Sequence, residues 1–100
     1  MATITKFEDI EIWQLARKFN REIYPFLQSL IDSKNYGFNK QIDNAAGLIM
    51  DNVAEGFKRD GTREFIQYLA ISKGPAGEVR SQFYRAADRN LITAEECTRF

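Results

Sequence analysis

Four carboxylates, Asp51, Glu55, Glu64 and Glu78, fall in stretches that read as helix, and Asp51 and Glu55 stand at i and i+4. Carboxylates on facing helices of a bundle can hold two irons or another hard cation. The di-iron arrangement draws on Glu-x-x-His motifs, however, and the chain contains no His, so a carboxylate metal enzyme is the outlying reading. Cys97 is the single Cys. Nothing near it in sequence would act as a base for thiolate chemistry, and one Cys makes neither an internal disulfide nor a Cys-rich zinc site. No catalytic residue, metal or cofactor is therefore expected.

Phosphate binding is the other chemistry that these residue types permit. Arg17, Lys18 and Arg21 cluster on the first helix, Lys58, Arg59 and Arg63 flank the second turn, and Arg85 and Arg89 are one helical turn apart. Glu22, Asp60, Glu64 and Asp88 border these groups, so no run of like charge forms. With 14 Lys+Arg against 14 Asp+Glu the net charge is zero, which excludes an obligate polybasic binder. A ring of subunits would be the route to a larger phosphate-binding surface, and an RNA- or DNA-associated module is the alternative to a non-catalytic scaffold or adaptor. Trp13, Tyr24, Tyr36, Tyr68 and Tyr84 could stack bases, but aromatics at helical spacing are read as packing.

The elements that position these residues follow from apolar period. Ile12, Ala16, Phe19, Ile23, Phe26 and Leu30 step by 4, 3, 4, 3 and 4, one face of a helix in a bundle. Trp13, Tyr24, Leu27 and Ile31 widen that face beyond what one neighbour covers. Thr5 and Glu8 fit a capping box, with Asp9 as an alternative start, and Pro25 predicts a bend. A second helix carries Phe38, Ile42, Ala45, Ile49 and Val53, is thinned by Ala45, Ala46, Gly47 and Ala54, and is expected to end at Gly56 in a left-handed cap. Asp60 or Thr62 would cap the third, which shows Phe65, Leu69, Ser72, Ala76, Val79, Phe83 and Ala86, with a kink at Gly74-Pro75. Thr93 and Glu96 form another capping box, opening a fourth helix.

These elements predict one all-α domain over residues 1–100, with helices at 9–32, 38–56, 62–90 and 93–100. The expected architecture is an antiparallel up-down four-helix bundle whose fourth helix is truncated. A domain this small buries roughly 60–65% of its unfolded surface, so the surplus apolar face and the groove beside a short fourth helix predict self-association. The N-terminus has no signal-peptide core, and no stretch reaches the roughly 18 apolar residues of a membrane span. A lone Cys fits a reducing compartment, and a cytoplasmic location without membrane contact is expected.

Three segments carry a resemblance to a known family. They are Gln41-Ile42-Asp43-Asn44-Ala45-Ala46-Gly47-Leu48-Ile49-Met50-Asp51-Asn52-Val53-Ala54-Glu55-Gly56, then Arg63-Glu64-Phe65-Ile66-Gln67-Tyr68-Leu69, then Lys73-Gly74-Pro75-Ala76-Gly77-Glu78-Val79. With Phe7-Glu8-Asp9-Ile10 and Trp13-Gln14 ahead of them, they resemble the four-helix-bundle family of 23S rRNA intervening-sequence proteins. That resemblance implies a ring-like homopentamer. It also implies kinship with the accessory protein of diversity-generating retroelements, which shares the fold, binds nucleic acid and partners a reverse transcriptase. Asp43 and Asn44 stand where relatives commonly carry basic residues, and Leu48 and Pro75 each replace a family Ser.

Within the signature, Gln41, Asn52, Glu55, Gly56, Glu64 and Glu78 are the polar and structural positions. Asn52 and Glu55, at i and i+3, read either as a pair facing a ligand or as part of the framework. In the framework reading an Arg such as Arg59, Arg63 or Arg80 pairs with Glu55 and Asn52 bonds a backbone.

Overall fold

Among the described residues five α-helices follow a 3-10 turn at Phe7–Asp9: α1 (Glu11–Asp32), α2 (Tyr36–Lys58), α3 (Thr62–Ile71), α4 (Lys73–Asp88) and α5 (Ala94–Arg99). The computed structural model describes residues 4–59 and 61–99, and no strand occurs among them. The all-α class predicted from apolar period is the one observed. Among the described residues no helix is long and apolar enough to cross a membrane.

α2 is the central element, packed on α1 along one side and on α3 and α4 along the other. Asn20 of α1 donates to Ala46 O of α2 at 3.1 Å, and Gln82 of α4 donates to Gln41 Oε1 of α2 at 2.9 Å. Each bond joins helices that are separated along the chain. The core is built from Ile23, Phe26, Leu27 and Leu30 of α1, Phe38, Ile42, Ala45 and Ala46 of α2, and Val79, Phe83 and Ala86 of α4. Burying a large side chain such as Ile23 or Ile42, neither of which is exposed at all, stabilises the fold by about 1.5–3 kcal/mol.

Backbone closure is local. Lys34 and Asn90 take positive φ, 65° and 59°. Around Lys34, Asn35 N donates to Leu30 O and Lys34 N to Ile31 O; around Asn90, Leu91 N donates to Ala86 O and Asn90 N to Ala87 O. These paired bonds satisfy the last carbonyls of α1 and α4 through left-handed caps. At the start of α5 the predicted capping box is present: Glu96 N donates to Thr93 Oγ1 at 3.0 Å and Thr93 N to Glu96 Oε1 at 3.2 Å.

Several expected boundaries are corrected. α1 begins at Glu11 and not at 9, because Phe7 packs on Trp13 at 5.1 Å between ring centroids and Ile10 is buried, which folds the segment into a turn. Thr5 and Glu8 form no capping box; Gln14 Nε2 bonds Glu8 O instead. The helix continues through Pro25 as its apolar stripe predicts: Pro25 lies on the exposed side of α1, which runs through it as one helix. α2 starts at Tyr36 and passes through Gly56 to Lys58, so Gly56 is no cap, and no described glycine has positive φ. Thr62 is the first residue of α3 and caps nothing, while Asp60 lies outside the described residues.

The long third helix is two helices that part at Ser72, slightly before the expected kink. Pro75 is the cause: it has no N–H for the Ile71 carbonyl, and its ring crowds that carbonyl. α3 accordingly stops at Ile71. Ser72 secures the break by donating its hydroxyl to Tyr68 O at 3.2 Å.

Candidate functional site

The signature segment sits where α2 meets α3, and its geometry is set by a missing side chain. A Cβ on Gly56 would lie 2.6 Å from Tyr68 Cβ and 3.4 Å from the Phe65 ring. Only glycine lets α3 approach α2 this closely. Gly47, expected to serve that purpose, has nothing within 4 Å of an added Cβ. Close approach places Tyr68 beside Arg59, whose guanidinium donates to Tyr68 Oη at 2.8 Å and lies 5.3 Å from the ring centroid. Arg59 Nη2 also meets Glu55 Oε1 at 3.2 Å. Of the three arginines considered for Glu55, Arg59 is thus its partner.

The Glu55–Arg59 pair is on the surface, with 47% of the Glu55 side chain exposed. Solvent screening and side-chain entropy limit exposed i, i+4 pairs to under about 1 kcal/mol. Glu55→Ala is therefore expected to shift the thermal midpoint by only a few degrees, and thermal melting of the variant checks it. Asn52 is half-buried, and among the described residues its side chain makes no hydrogen bond, so the expected backbone partner is not found. Glu64 folds its carboxylate back over Gly61 at the start of α3.

Gln41 has a different task. Gln82, buried on α4, donates to it, and Arg85 Nη1 in turn donates to Gln82 Oε1 at 3.2 Å. The chain of bonds satisfies a buried amide across the α2–α4 contact. Arg85 and Arg89 both stand 5.1 Å from the Phe38 ring centroid, a cation–π arrangement that attaches the end of α4 to the start of α2. These partners are distant in sequence, and no motif in the chain announces them.

The basic candidates do not form one surface. Lys18 pairs with Glu22 on α1 at 3.9 Å, Arg59 with Glu55 and Tyr68, and Arg85 and Arg89 with Phe38. Lys58 and Arg63 are exposed near the α2–α3 turn. Arg17 and Arg21 line an open cleft of about 410 Å³ between α1 and α2, with Tyr24, Leu27, Asp43 and Met50. Arg17 also lies 5.8 Å from the Trp13 ring. The metal candidates Asp51, Glu55, Glu64 and Glu78 are all exposed. No group of three or more His, Cys, Asp or Glu side chains is placed to hold a metal ion among the described residues.

A second groove, about 390 Å³, opens between α1 and α4, lined by Phe19, Ile49, Val79, Phe83, Tyr84 and Cys97. It exists because no Cα of α1 comes within 8 Å of α4 among the described residues; the rings of Phe19 and Phe26 reach across to Phe83.

A small helical bundle whose signature residues set helix contacts is the class of protein that this arrangement defines. The chain matches the family model of the 23S rRNA-intervening sequence protein over residues 8–100, and it belongs to that family. No curated protein and no solved structure matches it.

Proposed function

We propose that this protein is a non-catalytic helical scaffold that acts by associating with further copies of itself. The observation that carries the reading is the apolar surplus of α1. Leu15 and Tyr24 are 57% and 59% exposed, and Ile12 and Ile31 are exposed on the same helix. Apolar side chains on both flanks of the core stripe exceed what α2 covers, and extended apolar surface of this kind is stabilised by a partner. The signature polar residues support the same reading, since Gln41, Glu55 and Gly56 serve contacts between helices or within one.

Sedimentation velocity at micromolar concentration is expected to show a species heavier than the 11.6 kDa chain. A monomer there would overturn the proposal. Titration with a labelled RNA of arbitrary sequence separates the alternative, because phosphate binding weakens steeply as salt rises. Steep salt-dependent binding would make the protein a nucleic-acid-associated module.

A further inference from the structure

We infer that the cleft between α1 and α2 is a binding site for a guanine nucleoside monophosphate, its phosphate on Arg17 and Arg21 and its base over Gly47 against Asp43. The inference goes beyond the self-association proposed above and does not depend on it. Its starting point is a glycine. Asp43, Gly47 and Met50 step by 4 and 3 along one face of α2, and Asp43 and Met50 line the cleft, so Gly47 falls between them on its α2 wall. Glycine inside a helix is unfavourable relative to alanine. No neighbouring helix requires it here, since an added Cβ would have nothing within 4 Å. What glycine provides at this point is room for a flat ring to approach the α2 backbone.

The polar groups around that space are ordered along the cleft. α1 and α2 are joined through residues 33–35 alone, so Tyr24 stands at the level of Asp43 and Arg17 at the level of Met50, with the bond from Asn20 to Ala46 O midway. Arg17 and Arg21 make a donor end, and neither has a carboxylate within 4.0 Å among the described residues. Acceptors follow. Asn20 Nδ2 donates to Ala16 O and Ala46 O, while its Oδ1 accepts nothing among the described residues. Asp43 has no cation within 4.0 Å among them, although exposed Lys40 lies one turn away on α2. Tyr24 adds a ring, and Leu27 and Met50 an apolar floor.

A ligand that satisfies this order has an anion at one end and N–H donors at the other. Seven residues separate Arg17 from Tyr24, about 10 Å at 1.5 Å per residue, the span of a mononucleotide from phosphate to base edge. The cleft volume of about 410 Å³ suits a ligand of that size. Guanine carries an imino N–H and an amino group side by side, and both donate to one carboxylate, whereas adenine sets an acceptor beside its amino group. A fatty carboxylate would satisfy the arginines and bury Asp43 without a donor. A nucleic-acid strand needs cations that continue along the surface, but Lys18 is paired with Glu22 and Asp43 lies between Lys40 and the two arginines.

Calorimetric titration of the full chain with guanosine 5′-monophosphate is expected to show saturable binding, with guanosine and inorganic phosphate each about tenfold weaker or worse. Arg17→Gln with Arg21→Gln is expected to lose about tenfold or more. Asp43→Asn should retain the nucleotide and lose the preference for it over adenosine 5′-monophosphate, because an amide has one acceptor oxygen. Gly47→Leu fills the space and should abolish binding. Gly47→Ala should weaken binding while raising the thermal midpoint, which separates a blocked site from a failed fold. Lys18→Gln, outside the cleft, should change nothing. No saturable binding at millimolar nucleotide, or a Gly47→Leu chain that binds as the parent does, would overturn the inference. So would an RNA of arbitrary sequence that binds with steep salt dependence and is indifferent to Gly47→Leu, since the arginines would then track a phosphate backbone. A chain that self-associates and binds no nucleotide leaves the scaffold reading standing and this inference refuted.

Discussion

Phe83→Ala is expected to destabilise the fold by about 3–5 kcal/mol, the usual cost of removing a buried ring and leaving a cavity. Phe83 is only 3% exposed and meets Phe26 edge-on at 5.8 Å and Phe19 at 6.1 Å between centroids. Each aromatic pair adds about 0.5–1.5 kcal/mol beyond the area it buries. The site has little means of collapsing, because the backbones of α1 and α4 nowhere approach within 8 Å among the described residues. In a domain whose total stability is of the order of 5–15 kcal/mol, the loss is a large part of the whole. Thermal melting should fall by well over 10 °C, at roughly 4–8 °C per kcal/mol for a chain of this size. Amide exchange in α1 should rise as well, since Phe83 packs against two of its rings, Phe19 and Phe26. Phe83→Leu fills most of the space and is expected to cost clearly less. A Phe83→Ala loss below about 1 kcal/mol would mean that the α1–α4 contact contributes little to the bundle.

What was legible in the sequence is what short-range chemistry determines. Ala16, Ile23, Phe26 and Leu30 are buried as their spacing predicts. Ile12 keeps the same phase and is nonetheless exposed, because period identifies the face of a helix and not whether a neighbour reaches that far along it. Thr93 and Glu96 close their box with atoms three residues apart. Thr5 and Glu8 have the same pattern, but burial of Ile10 and the packing of Phe7 on Trp13 decide that segment from outside it. Pro75 was correctly placed as a disruption, and the break falls earlier because the carbonyl it leaves without a donor belongs to Ile71.

The candidate site was less legible for the same reason. Arg85 and Arg89 read as a free basic pair until Phe38, far back in the chain, is seen against both. Gln41 had no visible task without Gln82. A helical wheel separates core from surface, yet it cannot tell an arginine laid on a ring from one standing in water. Glu55 is the converse case: its arginine partner is among the three that the sequence offers, while its exposure, which keeps the cost of removing it small, depends on where α3 leaves it.

Gly56 carries the greatest contrast between the two ways of reading one residue. As a cap it would need left-handed backbone, and replacement by alanine would be costly through φ. It lies inside α2 with helical backbone, so alanine should favour the helix there by up to about 1 kcal/mol. The neighbour decides the sign. The added methyl would stand 2.6 Å from Tyr68 Cβ, an atom fixed to the α3 backbone that no rotamer change can move. α3 must shift as a body, and its shift loosens the Arg59 contact to the Tyr68 ring and hydroxyl. Overpacking of this kind costs about 1–3 kcal/mol, outweighing the propensity gain. Gly56→Ala is thus expected to lower the thermal midpoint by several degrees, and Gly56→Val by considerably more, since it adds bulk at the same point. Gly47→Ala, in the same helix with open space at its Cβ, is expected to raise the midpoint by helix propensity alone. Melting curves of these variants measure the effect. If Gly56→Ala stabilised the protein as Gly47→Ala should, α3 would not be seated on α2 at this glycine.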